Sequence, residues 1–257
     1  MASETIILPA VAVFACVSVL WVISLRIKDV SIADIWWGPG FAVIAWVLVY
    51  QHEQPADRLW VVTALLSIWA ARLGVYLGAR NIGHDEDKRY QEMRNRTPGF
   101  WWVSLFKVFY LQGALQLLVA LPVFATTSLT SALGPVDIVA VVLVLFGVGL
   151  EATADVQLAR FKRDSGTEST VLRTGVWGWC RHPNYFGNAL IWAGVGLLAI
   201  AGGAGWWTLT GPAIMWFLLL KVSGVSMLES TIVERRPDYR RYIEEVPAFF
   251  PNPFRRS

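Results

Sequence analysis

Charge is scarce in this chain: 16% of its 257 residues are Asp, Glu, Lys or Arg, against 55% hydrophobic residues and 14 tryptophans. That balance excludes a soluble domain of ordinary composition. Cysteine is nearly absent, and Cys16 and Cys180 make neither a disulfide framework nor a metal site. Histidine is confined to His52, His84 and His182, and HExxH, CxxC, GxSxG and phosphate-loop patterns are all missing. No strand pattern supports a soluble dinucleotide fold, so any cofactor must be held between membrane helices. There is no internal repeat, low-complexity tract or long linker. The net charge of +3 comes without the basic and aromatic pattern that nucleic acid requires.

What is present is hydrophobic length. Stretches of about 20 apolar residues, enough to cross a hydrocarbon core, recur at 6–25, 32–50, 59–79, 102–124, 136–156, 185–201 and 206–228. They predict an all-α polytopic membrane protein with seven transmembrane helices, 1–257 forming one membrane domain. The first stretch has no basic residue before it and is too long for a signal core, so it is expected to be retained. With the N-terminus outside, eighteen of the 22 Lys and Arg residues fall in cytoplasmic segments and Arg58 alone on the opposite side. Arg72, Lys107 and Lys221 lie within spans. This bias predicts the topology, with the C-terminus cytoplasmic.

The polar residues follow the same asymmetry. Asp34, Arg72, Lys107, Gln112, Glu151, Asp155, Asn184, Asn188, Lys221 and Glu229 all sit in the inner halves or at the inner ends of their spans. An ionisable group in hydrocarbon costs at least ~2.5 kcal/mol, so such groups pair or line a wet cavity. Snorkelling accounts for Lys221 and Lys107. The others are expected to share a cavity open to the cytoplasm, with structural pairing as the alternative. Glu151 and Asp155 lie four apart on one helical face, and Arg160 and Lys162 follow in "DVQLARFKRD". Carboxylates accept from hydroxyls and amides, and cations hold phosphates. An internal acid and base network, with the cations complementing the helix dipole, is the equal alternative.

"CRHPNYFGN" opens the sixth span. Pro183 holds its predecessor extended and suits a first helical turn, which predicts a start at Pro183 or Asn184. First-turn amides beside Arg181 and His182 would make an anion site. Asn184 and Asn188 share a face, and Gly187 admits a close backbone or a flat ring. A capped helix start alone would explain only Pro183.

"RFKRD", "LRTGVWGWCRHPNYFGN" and the tail "LESTIVERRPDYRRYIEEVPAFFPNPF" together resemble the steroid 5α-reductase-like family, particularly its bacterial branch. "SIADIWWGPGFAVIAW" and "VSLFKVFYLQG" extend the resemblance over most of the chain. It implies a seven-helix membrane reductase using NADPH. Residues 1–125 would enclose an apolar substrate cavity and 135–257 would bind the cofactor. Carried onto matching positions, the cofactor set is Glu151, Asp155, Arg160, Lys162, Arg173, Arg181, His182, Asn184, Tyr185, Asn188, Glu229, Arg235, Tyr239 and Tyr242. The reaction implied is reduction of a carbon–carbon double bond conjugated to a ketone, with a donor polarising the carbonyl.

The sequence departs from the eukaryotic steroid reductases at the donors. Trp36 and Trp37 stand where a Gln-Glu pair is expected, and Trp69 where a Tyr is expected. Trp36, Trp37, Trp69 and Gln112 are therefore assigned to substrate, with Gln112 also able to donate to it. Asp34, Arg72 and Tyr76 are the catalytic candidates. Asp34 either donates a proton, if burial raises its pKa, or pairs with Arg72. Tyr76 either joins the donors or contacts the cofactor.

The expected substrate is an apolar, steroid-like or isoprenoid-like lipid, met by a monomer in a bacterial inner membrane. "RHPNYFG" and the "VPAFFP" ending also occur in isoprenylcysteine-type methyltransferases, which use S-adenosylmethionine. Those carry a Glu-Glu pair where this chain has Glu229-Ser230. A lipid-binding or transport protein is the third reading, disfavoured by one-sided polar groups and no repeat.

Overall fold

The computed structural model describes residues 3–164, 171–222 and 239–253. Among these the chain is helical, without strands. Among the described residues six helices are long and apolar enough to cross a membrane, which makes this a multi-pass membrane protein. They comprise Thr5–Ile27, Ile32–Gln51, Asp57–Asn81, Phe100–Val119, Pro135–Asp164 and Pro183–Ala201. The expected seventh span is represented by a shorter apolar helix, Trp206–Val222; 223–228 lie outside the described residues. The chain divides into two compact units, Met1–Gly134 with Leu198–Gly211, and Pro135–Leu197 with Pro212–Ser257.

In the first unit, α1 (Ser3–Ile27), α2 (Ile32–Gln51) and α3 (Asp57–Asn81) follow one another through short turns. Trp46 at the far end of α2 donates to Ser67 Oγ (3.0 Å) and meets the Trp60 ring edge-on, fixing the α2–α3 hairpin. Phe41 and Trp69 fill its core, their centroids 5.8 Å apart.

The expected single span 102–124 is interrupted. α5 (Phe100–Ser104) runs into a π-helical stretch, Leu105–Tyr110, then α6 (Leu111–Val119). Ala120 leaves the helical region with ψ 4°, and Pro122 opens a separate short helix, α7 (Leu121–Ala125). The break is physical: proline cannot donate to the preceding turn but suits a first one. Another departure is α4 (Lys88–Arg96), inside what reads as a polar connection. Asp87 caps it by accepting from Arg89 N (3.0 Å).

Arg58, at the start of α3, is 2% exposed. Its Nη1 donates to Ser131 O (2.5 Å) and Oγ (2.8 Å), and its Nη2 to Ala132 O (3.0 Å). The one basic residue expected opposite the others therefore staples a neutral connection. Replacing it by Met removes the hydrogen bonds of a buried charged donor to Ser131 and Ala132, at about 2–4 kcal/mol. Thermal unfolding of R58M in nanodiscs is expected about 5 °C or more below wild type.

The second unit holds α8 (Pro135–Asp164), most of α9 (Pro183–Ala201) and of α10 (Thr210–Phe217), and the tail helix α11 (Tyr239–Glu245). At 30 residues, α8 is about 45 Å long, more than a hydrocarbon core of about 30 Å requires. A turn or more of it must therefore project beyond the apolar layer.

Candidate functional site

α8 and α9 meet backbone to backbone. A Cβ on Gly187 would lie 2.7 Å from Gly147 O and 2.8 Å from Glu151 N. Gly187 thus admits a neighbouring helix and not a flat ring. The contact sets α9's entrance against the acidic face of α8. Asn184 donates to Asp155 Oδ1 (3.2 Å), while Glu151 and Asn188 lie one turn farther along their respective helices. Glu151, Asp155 and Asn188 are at most 5% exposed. Asn188 Oδ1 has no hydrogen-bond partner, so a buried acceptor stands open beside two buried acids.

The anion site expected at this helix start is largely occupied by the protein. α9 begins at Pro183 as expected, but Tyr185 N donates to Asn184 Oδ1 (3.0 Å) and Phe186 N to His182 O (3.0 Å). His182 is buried and stacks on Tyr185 with 5.5 Å between centroids. Arg181 Nη1 donates to Ile243 O (3.0 Å) and Val246 O (2.5 Å), the last carbonyls around α11. Arg181 N donates to Pro247 O (2.9 Å) and Phe186 packs on Phe249. "RHPNYFG" and "VPAFFP" are therefore two halves of one clamp.

The same clamp takes up other expected ligand residues. Tyr242 OH donates to Trp177 O (2.6 Å), and burial pushes its pKa up, so it stays protonated. Tyr239 packs edge-on against Tyr242. Arg173 pairs with Glu245 (2.8 Å) and lies over the Tyr242 ring. Burial also pushes the Cys180 thiol up to about 11, leaving it neutral. Arg160 and Lys162 are exposed near the end of α8. Glu229 and Arg235 lie outside the described residues. Among the described residues no His, Cys, Asp and Glu cluster could hold a metal ion.

In the first unit, Asp34 and Arg72 are not partners. Asp34 accepts from Arg89 Nη2 (2.7 Å) and Tyr90 OH (2.6 Å), both on α4. With a donor on each carboxylate oxygen, Asp34 anchors α4. Burial, then Asp34, pushes the Tyr90 phenol up and keeps it a donor. Glu86 reinforces the anchor, accepting from Val30 N (2.9 Å) and Arg94 (2.7 Å). Arg72 lies over the Tyr76 ring (5.6 Å), whose centroid is 6.0 Å from Arg80. Trp69 is core, whereas Trp36, Trp37 and Gln112 are half-buried. An apolar groove of about 760 Å³ runs along α2 and α3 past Pro39, Trp46 and Gly74.

A family model described as "Protein of unknown function (DUF1295)" matches residues 20–246. The chain belongs to the DUF1295 family. This DUF1295 protein is also similar to an uncharacterized protein of Schizosaccharomyces pombe, 29% identical over 266 aligned positions covering 91% of the chain and 76% of the yeast protein. No solved structure matches. The relative's yeast origin lends no support to a bacterial inner membrane.

Two structural features of the DUF1295 protein near the candidate residues lie outside the expectations from its sequence. One is Arg89 and Tyr90 as Asp34's partners, signalled by the Asp87 cap and the i, i+3 apolar pair Tyr90 and Met93. The other is Gln116, fully buried in α6, whose Nε2 donates to Trp37 O (2.9 Å). It lies four residues after Gln112, on the same face.

Proposed function

We propose that the protein is an NADPH-dependent reductase of a carbon–carbon double bond conjugated to a ketone in a steroid-like or isoprenoid-like lipid. The carrying observation is the open Asn188 acceptor beside buried Glu151 and Asp155. An open acceptor beside buried carboxylates in an apolar helix pair fits a ligand rich in hydroxyl and amide donors, as a nucleotide is. A buried acceptor without a donor costs about 1–3 kcal/mol, which such a ligand would recover. Arg160 and Lys162, about 14 and 16 Å along α8 from Glu151, are the exposed cations suited to phosphates. Membership of DUF1295, within the steroid 5α-reductase-like superfamily, supports the assignment.

When bound, NADPH supplies the hydride for the β-carbon of the enone. The chain's part is to polarise the ketone, so that the electron pair displaced from the double bond settles on oxygen, and to let a proton reach the α-carbon. In this reading Asn184 holds Asp155 in place, and the Arg181 clamp keeps α11 against the entrance of α9. The seven-span arrangement with an outside N-terminus belongs to the same proposal, supported by the Lys and Arg bias and the apolar helix Trp206–Val222.

Thermal unfolding in nanodiscs is the test. NADPH at a hundredfold excess over its Kd is expected to stabilise the protein by about 2.7 kcal/mol, and an enone lipid to accelerate loss of NADPH absorbance. No saturable NADPH binding would overturn the reading. Stabilisation by S-adenosylmethionine alone would replace it with the methyltransferase, and lipid binding without NADPH consumption with a carrier.

A further inference from the structure

Among the described residues of the first unit, the buried polar atoms without a hydrogen-bond partner include Trp36 Nε1, Gln112 Oε1 and Gln116 Oε1. They belong to helices that touch, α2 and α6. Gln116 lies on Gly40, where a Cβ would come within 2.2 Å of its amide nitrogen and 2.6 Å of its oxygen. Its nitrogen also donates to Trp37 O. Trp36 is four residues before Gly40, and Gln112 four residues before Gln116. Lower down, Trp36 packs on the cluster containing Ala33, Val108 and Phe109, so α2 and α6 run in the same direction. One helical turn below the Gly40–Gln116 contact therefore sets Trp36 and Gln112 at one level.

The π-helical stretch Leu105–Tyr110 ends immediately before this turn. Such stretches shift the facing of all that follows and recur at functional sites. Here an indole N–H without an acceptor and an amide oxygen without a donor stand at matching depth. A second amide oxygen lies one turn above. Packing alone does not favour this, because each open group forfeits a hydrogen bond it would have had in water.

We infer that Trp36 Nε1–H and the Gln112 side-chain amide hold the single uncharged oxygen of an apolar ligand. A hydroxyl accepts from Trp36 and donates to Gln112 Oε1. A ketone accepts from Trp36 and, once Gln112 turns its amide over, from the amide nitrogen as well; the two ends of that group are interchangeable in shape. The inference rests on the reductase reading only in making this oxygen the substrate carbonyl. An indole N–H polarises a carbonyl without surrendering its proton, so Trp36 is a hydrogen-bond donor here and the proton for the α-carbon must come from elsewhere. This differs from assigning that task to Asp34, whose oxygens are both taken by α4.

The test uses the full chain, labelled with 15N at tryptophan, in detergent micelles. Trp36→Phe identifies the Trp36 indole resonance by its loss. The probes are cyclohex-2-en-1-one, cyclohex-2-en-1-ol and cyclohexene. The ketone or the alcohol, whichever class the site takes, is expected to move that resonance downfield saturably, while cyclohexene does not. Gln112→Leu is expected to weaken the active probe about tenfold, the upper worth of one neutral hydrogen bond, without changing cyclohexene binding. No response to either oxygen-bearing probe, or an equal response to cyclohexene, would overturn the inference and leave buried water as the occupant. NADPH stabilisation, measured on wild type and Trp36→Phe alike, separates the two ideas. A Trp36 response without NADPH binding would retain the oxygen site and remove the reductase.

Discussion

Valine at Gly187 is expected to part α9 from α8 and lower stability by about 3 kcal/mol or more. The first added carbon alone would lie 2.7 Å from Gly147 O, 2.8 Å from Glu151 N and 3.1 Å from Glu151 Cβ. Two of these obstacles are backbone atoms of a continuous helix, which cannot rotate away as a side chain can. The contact is also reciprocal: a Cβ on Gly147 would lie 2.6 Å from Gly187 O. Overpacking of this kind commonly costs 1–3 kcal/mol, and occasionally more where nothing can give. In thermal unfolding of nanodisc-held protein, G187V should fall by about 6 °C or more. Gly149→Ala, on the same helix but with open space around its Cβ, is the control and should leave the midpoint unchanged or slightly raised. Separating the helices would also carry Glu151 and Asp155 away from Asn184, so G187V should lose NADPH stabilisation if the proposed cofactor site is right.

Hydrophobic length made the long helices legible in the sequence, because a span is a local property of about 20 residues. The start of α9 was legible for the same reason, since Pro183 acts on its immediate neighbours. Glu151 and Asp155 on one face required only helical periodicity, and both are buried. What was not legible depends on contacts across the chain. Asp34 is paired by residues 55 and 56 positions away, through a nine-residue helix whose polar composition hides it among connections. The π-helical stretch before α6 has no periodic signature at all. It sets which residues of α6 face α2, and the contact of Gln116 with Gly40 and Trp37 leaves no local signal in the sequence.

The nine residues "CRHPNYFGN" show how one motif can mislead by being rich in polar groups. Read alone, Arg181 and His182 beside a helix start suggest a phosphate. In the fold, much of that capacity is directed at the tail, and the open acceptor is Asn188, a full turn deeper. In the proposed cofactor site Asn188 Oδ1 is therefore the open acceptor, beside the buried carboxylates of Glu151 and Asp155, while Arg160 and Lys162 stand exposed on α8.

Arg181→Met is the second large effect expected, and it decides between those two roles. Arg181 is 8% exposed, and its guanidinium donates to Ile243 O and Val246 O. A cation on the final carbonyls of a short helix both satisfies orphan acceptors and complements the dipole. Methionine keeps much of the volume and removes every donor, leaving those carbonyls exposed to a dry environment. Hydrogen bonds from a charged donor contribute about 1.5–3 kcal/mol each, so loss of the clamp should cost about 3 kcal/mol or more. Lysine keeps the charge on an ammonium with three donors but lacks the planar, delocalised guanidinium, and should recover part of the loss. Release of α11 should open the bonds after exposed Arg240 and Arg241 to trypsin, giving a faster cleavage that R181K partly reverses. Were Arg181 a phosphate ligand instead, R181M would weaken NADPH while leaving the apo midpoint and the cleavage rate unchanged. The clamp predicts the opposite order: the apo protein destabilised first, and cofactor affinity reduced only through the displaced tail.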